Sequence, residues 1–408
     1  MDETEHRASS RPALNSEGNF QFCGFGYNGF AQISTHRSVS KGQEVETLPP
    51  RSSALTPVTL DVGCVSCIVA CWSTTFYLKE NGTVSTMGWI CGTKEVGEEA
   101  NLLPGHFVTD VCCSWTQLAF LTKDGDCLLW SNYTNGMSKP VKVKSNGVKF
   151  KAVGCRESSC ILITGSGQAG FIANEQVQDG SDTKPVVVFR PIDITNQMSS
   201  VACGKEHALL LTSSGVVYSL GSGSRGQLGR GLLVDEQSAE VVPALEGIRI
   251  QFVAAGGWHS AAISGEKRKE KSRNNNSKVL QTMDNVSFGD LYMWGWNEKG
   301  QLGLAVNHHD DDDRQSSSGQ VQCQTVPVPI NIPDDLEILT VSCGTRHTAA
   351  VAGDGSVWTW GWGYYGQLGH GDQENRSTPT QVAALSSVKL KPKTLCCGAW
   401  STFVIIAK

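Results

Sequence analysis

Long apolar runs are missing from this chain. None approaches the roughly 18 residues that a membrane-crossing helix needs, so no transmembrane segment and no membrane partner is expected. Residues 1–18 contain no apolar core of the kind a secretory signal carries; they read as a polar, disordered tail. Charge is sparse as well. The 34 Lys and Arg against 39 Asp and Glu leave a formal net charge of -5. Broad phosphate-backbone binding needs a basic face, so strong direct nucleic-acid binding is not expected. The glycine loops lack the Lys-Ser/Thr pair that reaches nucleotide phosphates and Mg²⁺. No nucleophile, base and orienting group converge in one segment, and no set of metal ligands does. The chain is therefore read as non-enzymatic, with no cofactor and no metal.

Cysteine is plentiful, at 15 residues, and the odd count speaks against a disulfide framework. Cys64-Val65-Ser66-Cys67, with Cys71 following, has a CxxC spacing. A zinc site would need a second ligand pair at matching distance, and none is evident. Most cysteines sit in apolar runs, as Cys203, Cys343 and Cys397 do. They read as small buried hydrophobes in a reducing compartment. The run His308-His309-Asp310-Asp311-Asp312-Asp313 has cation-binding chemistry but no apolar residue to fix its geometry, so it reads as a solvated acidic loop.

Glycine is abundant, 44 of 408 residues, and much of it falls in one recurring phrase. The cleanest copy runs from Cys343-Gly344-Thr345-Arg346-His347 through Asp354-Gly355 and Trp360-Gly361 to Gly366-Gln367-Leu368-Gly369. Others open at His207 and His259 and close at Gly226-Gln227-Leu228-Gly229 and Gly300-Gln301-Leu302-Gly303. Between opening and close lie an apolar run, a tight Gly-containing turn and a second run of strand formers, which is hairpin patterning. Copies without histidine follow the same ruler. They give anchors at Ser73, Thr116, Ser158, His207, His259, His347 and Ser401, at intervals of roughly 40–55 residues, the size of a propeller repeat. The one long interval, from His259 to His347, resolves into two insertions of the fifth unit, at about 265–288 and 304–325. The last unit lacks its second half. Phe22-Cys23-Gly24-Phe25-Gly26-Tyr27-Asn28-Gly29 matches that half, with Gly29 at the place of Gly366. The expectation is an all-β, seven-bladed β-propeller over residues 19–408, closed by an N-terminal strand pairing into the last blade.

These phrases resemble the regulator of chromosome condensation repeat family, strongly over residues 200–408 and weakly over residues 90–200. Ala255-Gly256-Gly257-Trp258-His259-Ser260 and Trp294-Gly295-Trp296-Asn297 resemble a small single-propeller subgroup of it. That resemblance implies a nuclear, chromatin-associated adaptor, with some presence in the cytosol. It implies a JmjC-type oxygenase as partner, contact with histones or chromatin, and a role in histone methylation control and chromosome segregation. On this reading the chain is a monomeric propeller working inside a heteromeric complex. The founding member implies an alternative, guanine nucleotide exchange on a Ran-type small GTPase, although the exchange loops cannot be matched in the weak units. Larger relatives imply a third, a substrate receptor in a ubiquitin pathway.

The residues themselves suggest where function lies. His207, His259 and His347, and Gly226, Gly300 and Gly366, recur at repeat-equivalent places, so they read as scaffold, each histidine bonding within its own blade. The residues just before the anchors are Trp72, Trp115, Glu157, Glu206, Trp258, Arg346 and Trp400. Neighbours in an extended strand point to opposite sides, so these seven form a ring near the axis on one face, or else pack between blades. Tryptophan and arginine dominate interface hot spots, which makes Trp72, Trp115, Trp258, Arg346 and Trp400 candidates for partner binding. The loop tips Arg225, Trp296, Tyr364 and Tyr365 join them. Lys267, Arg268, Lys269, Lys271 and Arg273 form the one basic cluster. It is a nuclear import signal, a contact for an acidic partner, or a solvated spacer.

Overall fold

A computed structural model describes residues 20–28, 33, 53–60, 62, 65–88, 101–133, 139–179, 182–265, 289–304, 322–386 and 391–407. Seven antiparallel sheets succeed one another along it, six of four strands and the first of three. Each sheet is one blade of a propeller. The fourth shows the pattern: Met198–Cys203, His207–Thr212, Val217–Gly221 and Glu236–Val241, paired in that order. No helix among the described residues is long and apolar enough to cross a membrane.

Burial follows from stacking blade on blade. The second strands His207–Thr212, His259–Ser264 and His347–Ala352 are buried at every position, because both faces are covered by neighbouring sheets. They are therefore near-continuous apolar runs rather than alternating ones. The outermost strand Glu236–Val241 has no buried residue. Apolar clusters form between blades: Leu209, Leu211 and Val217 of the fourth pack with Val253, Ala262 and Trp294 of the fifth.

The ring closes as expected. Phe20–Tyr27 pairs with Ser401–Ala407, Phe22 opposite Ile405, and Ser53–Leu60 pairs on its outer side. The chain's two ends thus share the seventh blade, and no sheet edge between them is left open.

Three expectations need correction. Hairpin register puts His207 opposite Gly221 and His347 opposite Gly361, and likewise Thr74 opposite Gly88 and Gln117 opposite Ser131. The matching lead-in bonds are Gly204 N–H to His207, Cys71 N–H to Thr74, Ser114 N–H to Gln117 and Arg156 N–H to Ser159. The anchors of the first three blades are thus Thr74, Gln117 and Ser159, one residue after Ser73, Thr116 and Ser158. Aligning on tryptophan misled, because Trp72 and Trp115 sit one place earlier in the lead-in than Trp258. The N-terminal half is also displaced. Gly26 lies opposite Ser401 as Gly361 lies opposite His347. Asn28 Oδ1 accepts from Ile33 N–H at 2.8 Å, as Asn297 Oδ1 accepts from Leu302 N–H at 2.9 Å. Gly26 rather than Gly24 therefore matches Gly361, two residues later than expected, while Gly29 itself lies outside the described residues. The alternating Gly-Phe-Gly spelling fits either register until pairing decides.

The third correction concerns the histidines, which bond across blades. His207 Nε2 is 2.8 Å from Ser260 Oγ, His259 Nε2 3.0 Å from Thr348 Oγ1, and His347 Nε2 3.0 Å from Thr402 Oγ1. Each hydroxyl belongs to the next blade. It gives its single proton to a backbone carbonyl: Ser260 to Gln227 at 2.9 Å, Thr348 to Gln301 and Thr402 to Gln367 at 2.8 Å. A hydroxyl that has spent its proton can only accept from the imidazole, so Nε2 carries the hydrogen. Trp294 and Trp360 Nε1 donate to the same Gln227 and Gln301 carbonyls at 2.9 Å. At the third junction Phe25 packs against Gly369 where Trp294 and Trp360 pack against Gly229 and Gly303.

The insertions at 265–288 and 304–325 lie largely outside the described residues. Cys323–Ile330 is a strand, so the second insertion ends earlier than expected. The third blade has a departure the repeat did not show, a long hairpin pairing Ala169–Asp179 with Asp182–Pro191.

Two outcomes follow from the junctions. Trp360→Phe keeps the ring, as Phe25 does at its own junction, and deletes one hydrogen bond; urea unfolding should show a loss of about 1 kcal/mol. Burial lowers the histidine pKa values to about 3 for His207 and His259 and about 4 for His347. The unfolded chain then binds up to three more protons than the folded one between about pH 4 and 6.5. The stability is complete above the ordinary histidine value and falls as pH drops through this window, by about 1.4 kcal/mol per pH unit for each histidine. Urea midpoints at pH 7 and pH 5 check it, and His347→Gln should flatten the dependence.

Candidate functional site: an aromatic and cationic face

At one end of the axis the lead-ins of the first strands converge. Two places before the anchors stand Trp72, Trp115, Glu157, Lys205, Gly257 and Thr345, which line the mouth of the central channel. One place before stand Trp258, Arg346 and Trp400. The register shift explains the split: Trp72 and Trp115 reach the face from the inner position and the others from the outer one.

These side chains touch in an unbroken circuit. Trp72 lies 5.9 Å from Trp115, and Trp115 6.4 Å from Trp400. Trp400 meets Tyr365 at 5.6 Å, and Tyr365 meets Trp362 at 5.3 Å. The Arg346 guanidinium lies over Trp362 at 5.7 Å and Trp296 at 4.8 Å. Arg225 lies over Trp296 at 5.0 Å and Trp258 at 4.7 Å. Lys205 lies over Trp258 at 4.9 Å and Trp115 at 4.8 Å, which returns the circuit to its start. Tyr364 stacks on Trp362 and is 58% exposed; Trp115 is 37% exposed.

All nine residues singled out from the sequence for partner binding fall in this cluster. Lys205, Trp362 and Tyr27 were missed. Trp362 was within reach, since Trp360-Gly361-Trp362 repeats Trp294-Gly295-Trp296. Tyr27 takes the corresponding place in the seventh blade and contacts both Tyr365 and Trp400. Lys205 shows no signal without the corrected register.

Charge on the face is mixed. Glu157 lies 3.5 Å from Lys205, and the Trp258 indole donates to Glu206 at 3.1 Å. Below the mouth the channel is lined by cysteines, among them Cys112, Cys155, Cys203, Cys343 and Cys397. Burial pushes the Cys203 and Cys343 thiols well up and Cys397 to about 12, which leaves them protonated and poor nucleophiles. Cys71 runs the other way, because a hydrogen bond from Cys113 outweighs burial. No group of three or more metal-ligating side chains occurs among the described residues. Cys64, the acidic run His308–Asp313 and the basic cluster Lys267–Arg273 lie outside the described residues.

Gly226, Gly300 and Gly366 have a steric role. Gly366 has φ +73°, and a Cβ there would stand 2.7 Å from Leu55 Cδ2 and 2.9 Å from its Cα. The loop is seated against the outer strand of the next blade, and only glycine fits.

Fold and face together define a seven-bladed β-propeller with an aromatic and cationic face at one end of its axis. Profiles described as "Regulator of chromosome condensation (RCC1) repeat" match residues 214–263, 289–351 and 354–405, and residues 198–227 and 338–367. The chain belongs to the regulator of chromosome condensation repeat family. It is 34% identical over 240 residues to RCC1 domain-containing protein 1 of Homo sapiens, covering 53% of this chain and 58% of that protein. It is 34% identical over 291 residues to the Ultraviolet-B receptor UVR8 of Arabidopsis thaliana, covering 71% of this chain and 53% of that one. The chain thus spans a little over half the length of each of these two relatives. Among solved structures, Prp20p of Saccharomyces cerevisiae, described with its binding to Gsp1p and histones, superposes with TM-score 0.70. It is 16% identical and covers 98% of this chain and 93% of its own.

Proposed function

We propose that this chain is a nuclear, chromatin-associated adaptor that docks a JmjC-type oxygenase through the aromatic and cationic face, serving histone methylation control and chromosome segregation. The observation that carries the docking is the continuous circuit of indoles, phenols and cations around the channel mouth. A structural core would close such rings off from solvent; here Trp115 and Tyr364 remain open. Half-buried tryptophan and arginine set in a rigid frame are what binding hot spots are made of. The likeness to RCC1 domain-containing protein 1 supports the choice of subgroup. The chemistry resides in the partner and the geometry in the propeller. Lys267, Arg268, Lys269, Lys271 and Arg273 supply the import signal on this reading.

Affinity purification of the full chain from nuclear extract tests it. A JmjC oxygenase should be retained, and Trp258→Ala with Trp296→Ala should release it while the melting transition persists. Absence of any such oxygenase with the propeller folded removes the claim. Accelerated nucleotide release from a Ran-type GTPase would replace it with exchange activity.

A further inference from the structure

Two cations on the face hold their charge without a counter-ion among the described residues. Arg225 and Arg346 form no ion pair with any carboxylate among the described residues. Both are half-buried. Each lies within cation–π distance of two indoles instead: Arg225 of Trp258 and Trp296, which meet edge-on at 5.3 Å, and Arg346 of Trp296 and Trp362, so that Trp296 is shared by both guanidinium groups.

Two neighbouring rings restrict where a guanidinium can sit while its N–H groups remain able to donate. An arginine keeps its proton throughout the physiological range. A fork held this way takes a carboxylate bidentately with little further ordering cost. The two acids nearby are already engaged, Glu157 with Lys205 and Glu206 with the Trp258 indole.

The charge balance selects the occupant. The chain as a whole carries -5, so the positive charge of this cluster is local. A nucleic-acid backbone brings phosphates at every step and would meet Glu157 and Glu206 on the same rim. An extended peptide places alternate side chains on one side at roughly 7 Å. It can offer carboxylates to the two forks and lay its other side chains on the indoles. The geometry points to a docking site for an acidic extended segment of a protein partner, its carboxylates gripped by Arg225 and Arg346 and its stem resting on Trp258, Trp296 and Trp362. This rests on the adaptor reading and names the chemistry by which the partner is held.

The test is a titration of the full chain with an oligoglutamate peptide, followed by tryptophan emission. Saturable binding that weakens with added salt is expected. The double variant Arg225→Ala, Arg346→Ala should lose roughly tenfold or more in affinity. The pair Arg225→Lys, Arg346→Lys keeps charge and stacking bulk but loses the fork, and should also weaken binding, so the site is tested even if the alanine pair unfolds. No binding by the folded wild type, or equal binding by the lysine pair, overturns the site. Tighter and equally arginine-dependent binding of a single-stranded oligothymidylate overturns it in favour of a nucleic-acid face. Self-association that the lysine pair abolishes overturns it in favour of a second copy. If oligoglutamate binds but no oxygenase is retained, the adaptor identity fails and the carboxylate site stands. If the oxygenase is retained by wild type and lysine pair alike and oligoglutamate does not bind, the reverse holds.

Discussion

One backbone carbonyl at each strong junction carries most of the architecture. Gln227, Gln301 and Gln367 each present a buried carbonyl to the following blade. At the first two junctions it accepts both a hydroxyl and an indole N–H from that blade; at Gln367 it accepts the Thr402 hydroxyl. A carbonyl has two lone pairs, and leaving a buried one unmet is costly. The same glutamine works in the opposite direction. Its side-chain oxygen accepts the backbone N–H of the residue two before it: Arg225 at 2.8 Å, Lys299 at 2.9 Å and Tyr365 at 2.9 Å. Main chain locks blade to blade, and side chain holds the loop tip. Two of the residues so held, Arg225 and Tyr365, belong to the aromatic and cationic face. The face is therefore positioned by the blade junctions themselves.

The weak blades depart from this device as a unit. The imidazole lies directly over the lead-in glycine: a Cβ on Gly204 would stand 2.3 Å from His207 Cε1, and one on Gly344 2.1 Å from His347 Cε1. A histidine at the anchor therefore requires glycine in the lead-in, although the converse does not hold, since Gly398 precedes Ser401 in the seventh blade. The third blade has neither. Arg156 stands where Gly204 stands, is only 7% exposed, donates to Ser159 Oγ at 2.7 Å and lies over Phe171 at 5.4 Å. With no ring at the anchor, the lead-in position is free to carry a large side chain. The same logic admits Cys71 and Ser114 in the first two blades.

The repeat made the fold legible, because a propeller states its architecture once per blade. Seven units and the shared last blade could be read from spacing alone. What spacing could not supply was register in the weak blades. Trp72 and Trp115 look like counterparts of Trp258 until pairing with Gly88 and Ser131 is counted. They reach the same face from one position further in, so the ring was found with two of its members in the wrong seats. The direction of the histidine bonds was hidden for a different reason. The repeat compares blades with one another, whereas His207 to Ser260 is a contact between them. Lys205 was hidden by both effects, since it joins the face only through rings contributed by the second and fifth blades.

Closure of the ring and completion of the face are the same event. Tyr27 comes from the N-terminal strand; its N–H donates to the Trp400 carbonyl at 2.8 Å, and its ring touches Trp400 and Tyr365. Trp400 in turn meets Trp115 across the channel mouth. These contacts join the seventh blade to the sixth and second, which are remote in sequence. An opened propeller would keep the Arg225 and Arg346 cluster, which lies within the fourth to sixth blades, and lose the aromatic arc that faces it. The strong repeats thus carry the cations, the shared blade and the weak repeats carry the opposing rings, and the circular permutation of the chain brings the two halves of the face together.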